Sequence, residues 1–159
     1  MKQQRASLRV IAVVLATTIC ACSGSIARPG PERAASALEP PIRITRLYAG
    51  ADGESHFQDL EIAVSDAGAM GSLSSPSAVS SIVFRRSPVG YFYDWHTAPR
   101  RQYVILLAGE SEVEIGDGTK RRFGPGSIIL AEDTTGHGHR SRSTASHPNV
   151  SIFVTLPEP

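Results

Sequence analysis

Five histidines carry most of the chemistry this chain offers, and three of them, His96, His137 and His139, lie in segments whose spacing can gather them. An imidazole nitrogen ligates divalent transition ions and exchanges protons near neutral pH. The first segment, GYFYDWHTAPRRQYVILLAG, sets out Gly90, five residues, His96, one residue, Ala98, three residues, Gln102, six residues and Gly109. In the second, GSIILAEDTTGHGHRSR, residues 137 and 139 stand at i and i+2, so their rings share a face if the backbone is extended. Gly136 and Gly138 leave that backbone permissive. Asp94, two before His96, is a further inward carboxylate candidate; an exposed strand-end aspartate is the competing reading. His56 and His147 sit beside turns and read as surface side chains. No Gly-x-Ser-x-Gly elbow, phosphate-cradling Gly-Lys-Ser/Thr or His-Glu-x-x-His occurs, so hydrolase and nucleotide roles lack support. The acids Asp52, Glu54, Asp59 and Glu61 lack the regular loop of a calcium-binding EF-hand.

Strands must position these groups. From Pro41 onward, short runs of β-branched and aromatic residues alternate with Gly, Pro, Asp and Ser clusters. The runs predict strands near 42–48, 56–64, 80–86, 89–96, 102–108, 110–115, 119–123, 127–131 and 149–156. In Ser111-Glu112-Val113-Glu114-Ile115 the apolar residues face one way and the glutamates the other. Gly116-Asp117-Gly118 between two such runs is a hairpin turn. Residues 65–78 are nearly all turn formers and predict a surface loop. Short strands without a helix of ordinary length point to an antiparallel sandwich or barrel. Alternation would put Tyr91, Tyr93 and Trp95 on one face, opposite His96.

The Gly90 to Gly109 spacing resembles the first motif of the cupin family. That resemblance covers about residues 42–156 and implies an all-β fold, the small cupin jelly-roll or double-stranded β-helix barrel, open at one end for a ligand. In the family's usual motif, histidines stand at the positions of His96 and Ala98 and a glutamate at that of Gln102. Ala98 offers no lone pair. Gln102 keeps a carbonyl oxygen, but a neutral amide holds transition ions far less strongly than a carboxylate. The family's second motif ends in a ligand histidine eleven residues after its glycine, which counts from Gly126 to His137. A two-residue insertion in the EDTTG loop makes His139 the equivalent, and similarity to small cupins with an Asp-Thr-Thr-Gly-x-Gly-His loop favours it. The implied metal set is therefore His96, Gln102 and His139, with His137 either a further ligand or a solvated loop side chain. Its ion would be a divalent Fe, Mn, Ni or Zn, weakly bound or absent. Arg100 and Arg101, near the presumed mouth, are ligand-binding candidates able to clamp a carboxylate, against surface solvation.

Ahead of the barrel, MKQQRASLR is a basic stretch and VIAVVLATTICA a 12-residue apolar one, together an export signal. Spanning a bilayer takes ~20 apolar residues. Ile19-Cys20-Ala21-Cys22 resembles a bacterial lipoprotein box, which makes residues 1–22 the leader, Cys22 the lipidation site and the protein a membrane-anchored lipoprotein of the periplasm or cell envelope. Cleavage after Ser25-Ile26-Ala27 is the alternative and would release a soluble secreted protein. Residues 23–40, rich in Pro, Ala, Ser and Gly, read as a disordered tether, and 41–159 as the barrel domain. Both cysteines fall in the leader, so the exported body has no pair to oxidise. Removing Lys2, Arg5 and Arg9 from 16 basic residues leaves 13 against 15 acidic ones, a balance of −2. Such a surface presents no polyanion-binding field; nucleic acid is not an expected partner, and membrane contact would come only through the lipid.

Three functions stay open. The first is a barrel binding a small molecule in its interior beside a degenerate metal site. The second is a metal-dependent cupin enzyme of oxygenase or isomerase type, and the third a structural envelope lipoprotein. The resemblance also implies pairing through sheet edges into a homodimer.

Overall fold

The structure, a computed structural model, describes residues 41–158; the leader, Cys22 and the 23–40 tether lie outside the described residues. Twelve strands follow in order: β1 (Ile42–Ala49), β2 (Ser55–Ile62), β3 (Ser65–Asp66), β4 (Ser72–Leu73), β5 (Ser81–Ser87), β6 (Phe92–His96), β7 (Gln102–Ala108), β8 (Ser111–Ile115), β9 (Lys120–Phe123), β10 (Ile128–Glu132), β11 (His139–Ser143) and β12 (Asn149–Thr155). Among the described residues the only helical piece is a 3-10 turn at Gly68–Met70, and no helix is long and apolar enough to cross a membrane. The fold is the all-β jelly roll, or double-stranded β-helix, anticipated from the motif spacing.

A six-stranded sheet in the order β2-β1-β10-β7-β12-β5 faces a four-stranded sheet in the order β6-β11-β8-β9. Pairing is antiparallel except between β1 and β10, which run parallel with Thr45 opposite Ile129 and Leu47 opposite Ala131. Leu47, Leu106, Val113, Ile115, Phe123 and Ile129 meet between the sheets, with Phe57 and Val104 packed against them. Burial of each such side chain contributes roughly 1.5–3 kcal/mol. Val113 and Ile115 point inward as their alternation requires, and the Gly116-Asp117-Gly118 turn closes with Gly118 N–H donating to the Ile115 carbonyl at 2.9 Å.

Three expectations change. The 65–78 loop contains a two-residue hairpin, β3 with β4, whose residues are all exposed. The run at 89–96 becomes a strand only at Phe92, because Pro88 to Tyr91 is a turn in which Tyr91 N–H donates to the Pro88 carbonyl. Strand β11, HRSRS, carries no apolar residue to announce it and is held by its neighbours β6 and β8.

Its place on β8 is reinforced by charge. The register sets Arg140 opposite Glu114 and Lys120 beyond it, with Arg142 opposite Glu112 and Arg122 beyond. Arg140 donates to Glu114 at 2.7 and 3.0 Å, and Arg142 and Arg122 both donate to Glu112 at 3.0 Å. These pairs form a ladder on the outer face of the smaller sheet. Burial raises the proton affinity of Glu112, but the hydrogen bonds from Arg122 and Arg142 outweigh it and hold the carboxyl below its ordinary range. The Arg140 bond does the same for Glu114, helped by Lys120.

Candidate ligand and metal centre

A cavity of about 250 Å³ opens between the two sheets. His96 and His139 stand side by side in its wall, because β6 and β11 pair with His139 opposite His96, and their ring centroids are 4.3 Å apart. Gly138, at φ 81°, turns the chain into β11 so close beneath β6 that a methyl group there would collide with the His96 carbonyl. Only glycine allows this approach.

Both rings are oriented through Nδ1. His96 Nδ1–H donates to the Asp94 carbonyl at 2.6 Å, and since a carbonyl only accepts, that nitrogen carries the proton. His139 Nδ1 bonds the Asp133 carboxylate at 2.6 Å. Asp133 is 0% exposed, accepts from the Ser55 hydroxyl at 2.9 Å on the same oxygen and leaves its second oxygen buried without a partner. In each ring Nε2 is the nitrogen left to meet a ligand. Burial pushes the proton affinity of His96 below the imidazole norm, partly opposed by the Asp94 hydrogen bond; His139 lowers it further, Asp133 raises it and Arg85 lowers it.

Gln102 and Ala98 share the cavity wall with the two histidines. Ala98 is buried and held by its N–H on the Asp133 carbonyl at 3.0 Å, so the inward place a second imidazole would take is filled by a methyl group. Among the described residues no three His, Cys, Asp or Glu side chains converge as a metal-binding group. Catalytic zinc centres use three protein ligands, commonly histidine with a carboxylate. Two imidazoles and a neutral amide fall short of that, and the donor set does not fit a firmly held ion.

His137 is elsewhere. Because Gly138 breaks the extended path, 137 and 139 do not share a face; the His137 ring stacks on Trp95 at 4.3 Å and bonds Glu54 at 2.9 Å. Asp94 is exposed and contributes its backbone carbonyl rather than its carboxylate. Arg101 does not reach the cavity: it and Arg46 both hold Glu132, at 2.5 and 2.6 Å. Burial raises the proton affinity of Glu132, but the two guanidiniums more than reverse that. Arg100 is exposed and outside the cavity lining. His56 bonds Asp52 at the surface, Glu61 bonds Arg43, and Asp59 pairs with Arg121, so the acidic group is dispersed among separate partners.

The aromatic face is also redistributed. Tyr91 and Tyr93 line the cavity with His96, Tyr93 stacking on the imidazole at 3.8 Å, while Trp95 alone turns outward under the Arg140 guanidinium at 5.1 Å. The cause is a bulge: between the pairs His139–His96 and Ser141–Tyr93, β6 has one residue more than β11. An extra residue reverses the alternation on its far side. With the tyrosines comes Arg85 from β5, over the Tyr91 ring at 4.4 Å and the Phe153 ring at 5.5 Å. Besides the two tyrosines, Arg85 and Asp133 are participants that sequence reasoning missed. Asp133 has a weak local signal, an acid six residues before His139; Arg85 has none.

A larger open depression of about 700 Å³ lies by Arg43, Asp59, Glu61 and Arg121. Its charges pair with one another, so it presents no comparable set of uncommitted groups.

No family model matches the chain. It is 29% identical over 107 residues to the dimethylsulfoniopropionate lyase DddQ of Ruegeria pomeroyi, a match over 67% of this chain and 51% of the relative. The chain thus spans about half the length of that curated protein. Among solved structures it is similar to a Klebsiella pneumoniae protein with a double-stranded β-helix domain, at 22% identity and TM-score 0.40 over 48% of this chain and 65% of the other. A second is a putative mannose-6-phosphate isomerase from Ralstonia eutropha, at 17% identity and TM-score 0.32 over 82% and 99%.

Proposed function

We propose that this chain is an exported barrel that binds a small molecule in its interior, beside a metal centre too weak to hold a resident ion. The observation that carries this reading is the wall around His96, where the buried Ala98 methyl and the Gln102 amide leave two imidazoles without a third strong donor. A cavity of about 250 Å³ falls just below the ~300–1,000 Å³ of ordinary ligand pockets and so suits only a small molecule. Anchoring at the envelope through a lipid on Cys22 belongs to the same proposal. The mass of the mature N-terminus tests it, by distinguishing a lipidated start at Cys22 from a free start at Arg28.

A second reading is a metal-dependent enzyme using Fe, Mn, Ni or Zn. The Nδ1 anchors favour it, because metal-ligating histidines characteristically donate their other nitrogen to a carboxylate or carbonyl. Similarity to a protein named as a lyase points the same way. In that reading His96 and His139 would hold the ion with Gln102, and the ion would supply Lewis acidity.

Metal content of the full chain purified without chelator separates the two. The expected result is no stoichiometric ion and no uptake at micromolar free zinc. Gln102→Glu completes a two-histidine, one-carboxylate set and should tighten zinc binding at least tenfold, ~1.4 kcal/mol. Near-stoichiometric metal in the wild type, lost in both His96→Ala and His139→Ala, would overturn the weak-centre reading and support the enzyme reading instead.

A further inference from the structure

We infer that the small molecule is a monocarboxylate, bound through the guanidinium of Arg85. The inference rests on the interior-binding reading above and adds the chemical class of the ligand. Arg85 is the cationic side chain in the cavity lining, and among the described residues no carboxylate pairs with it, whereas Arg43, Arg46, Arg101, Arg121, Arg122, Arg140 and Arg142 all hold an acid. A guanidinium half removed from water with no counter-charge favours an anion beside it.

Its surroundings suit a planar acid. Tyr91 and Phe153 hold the guanidinium at 4.4 and 5.5 Å from their ring centres, and a guanidinium held by aromatic rings still presents a planar N–H fork capable of bidentate bonding. A carboxylate matches that fork. Leu106, Val113, Ile129 and Ala98 form an apolar stretch of wall beside Gln102, Ser111, Ser141 and the two imidazoles, so the body of the ligand is compact, with few polar groups of its own. Among the described residues no acidic side chain lines the cavity to repel an anion, and no second Lys or Arg lines it to balance a dianion.

Isobutyrate and isobutyramide, alike in shape and different in charge, provide the test. Binding of each to the full chain is followed by the NMR signals of the His96 ring and the Gln102 amide. Isobutyrate should bind about tenfold more tightly than isobutyramide, ~1.4 kcal/mol. Arg85→Gln should bring the two within about threefold, with Arg85→Lys between, since lysine keeps the charge and loses the planar fork. Equal affinities in the wild type, with His96 shifted by both, would overturn the carboxylate assignment and leave interior binding standing. Unchanged preference in a folded Arg85→Gln would overturn the role of Arg85. If neither compound moves either signal at tens of millimolar, both this inference and the interior-binding reading fall.

Discussion

The outer face of the four-stranded sheet and the cavity behind it use the same residue types in opposite ways. Outside, Glu112 and Glu114 are each gripped by two basic side chains from neighbouring strands, so the ladder is complete in itself. Inside, Arg85 has no acid among the described residues, Gln102 faces the cavity, and each of the two imidazoles keeps its Nε2 for a ligand. Charge that is satisfied by the fold fixes strand order and register. Charge that the fold leaves open selects a ligand, and the contrast separates the arginines of β11 and β9 from Arg85 on β5.

Asp133 is where the two regimes meet, since it is buried like a structural group yet serves a cavity histidine, and its removal should have the largest effect. Asp133→Ala leaves the Ser55 hydroxyl and His139 Nδ1 without their shared acceptor, at ~1–3 kcal/mol for each buried orphan. Urea unfolding should show a loss of about 3 kcal/mol, and a loss below about 1 kcal/mol would mean the carboxylate is not holding the centre together. Glu112→Gln should cost less, about 1 kcal/mol, because Arg122 and Arg142 are more than half exposed and solvent screens them. It should leave isobutyrate binding unchanged; a change would break the division between ladder and cavity.

The smallest effect is a separation in pH. Burial depresses the proton affinity of His96, so the unfolded chain takes up this proton before the folded one does. Its stabilising contribution is complete above the ordinary imidazole value of about 6.5 and is lost as pH falls from there through the lowered folded value. Glu112 and Glu114 are depressed too, by their arginines, and as acids they lose their contribution only below the ordinary carboxylate value of about 4.3. His96→Gln should therefore flatten the fall in urea midpoint as pH drops below about 6.5 while leaving the steeper loss below about pH 4. An unaltered curve in the upper window would place His96 in solvent rather than in the cavity wall.

Much of the barrel was legible in the residues because strand formation here is a local matter. Alternation in 111–115 oriented Val113 and Ile115 correctly, and the glycine-rich turn at 116–118 joined the strands it was expected to join. Strand β11 escaped notice because its inward side chains are His139 and Ser141 and its outward ones are arginines, a pattern with no hydrophobic period to read. The aromatic face was misread for a related reason. A bulge is defined by what the partner strand lacks, so nothing in Phe92 to His96 reveals that the alternation reverses between Tyr93 and His96.

The order of residues alone determined much of where the chain extends and turns, since backbone preferences and side-chain alternation act over a few residues, while the gathering of His96, Ala98 and Gln102 was expected from the cupin resemblance. Which charges are spent and which are left open was decided by the tertiary structure. Arg101 meets Glu132, Asp133 meets Ser55, and Arg85 on β5 comes to Phe153 on the adjacent β12 and to Tyr91 in the turn before β6. Electrostatic pairing depends on distance in space, and residues as far apart in sequence as Ser55 and Asp133 become neighbours only when β2 and β10 take their places on either side of β1.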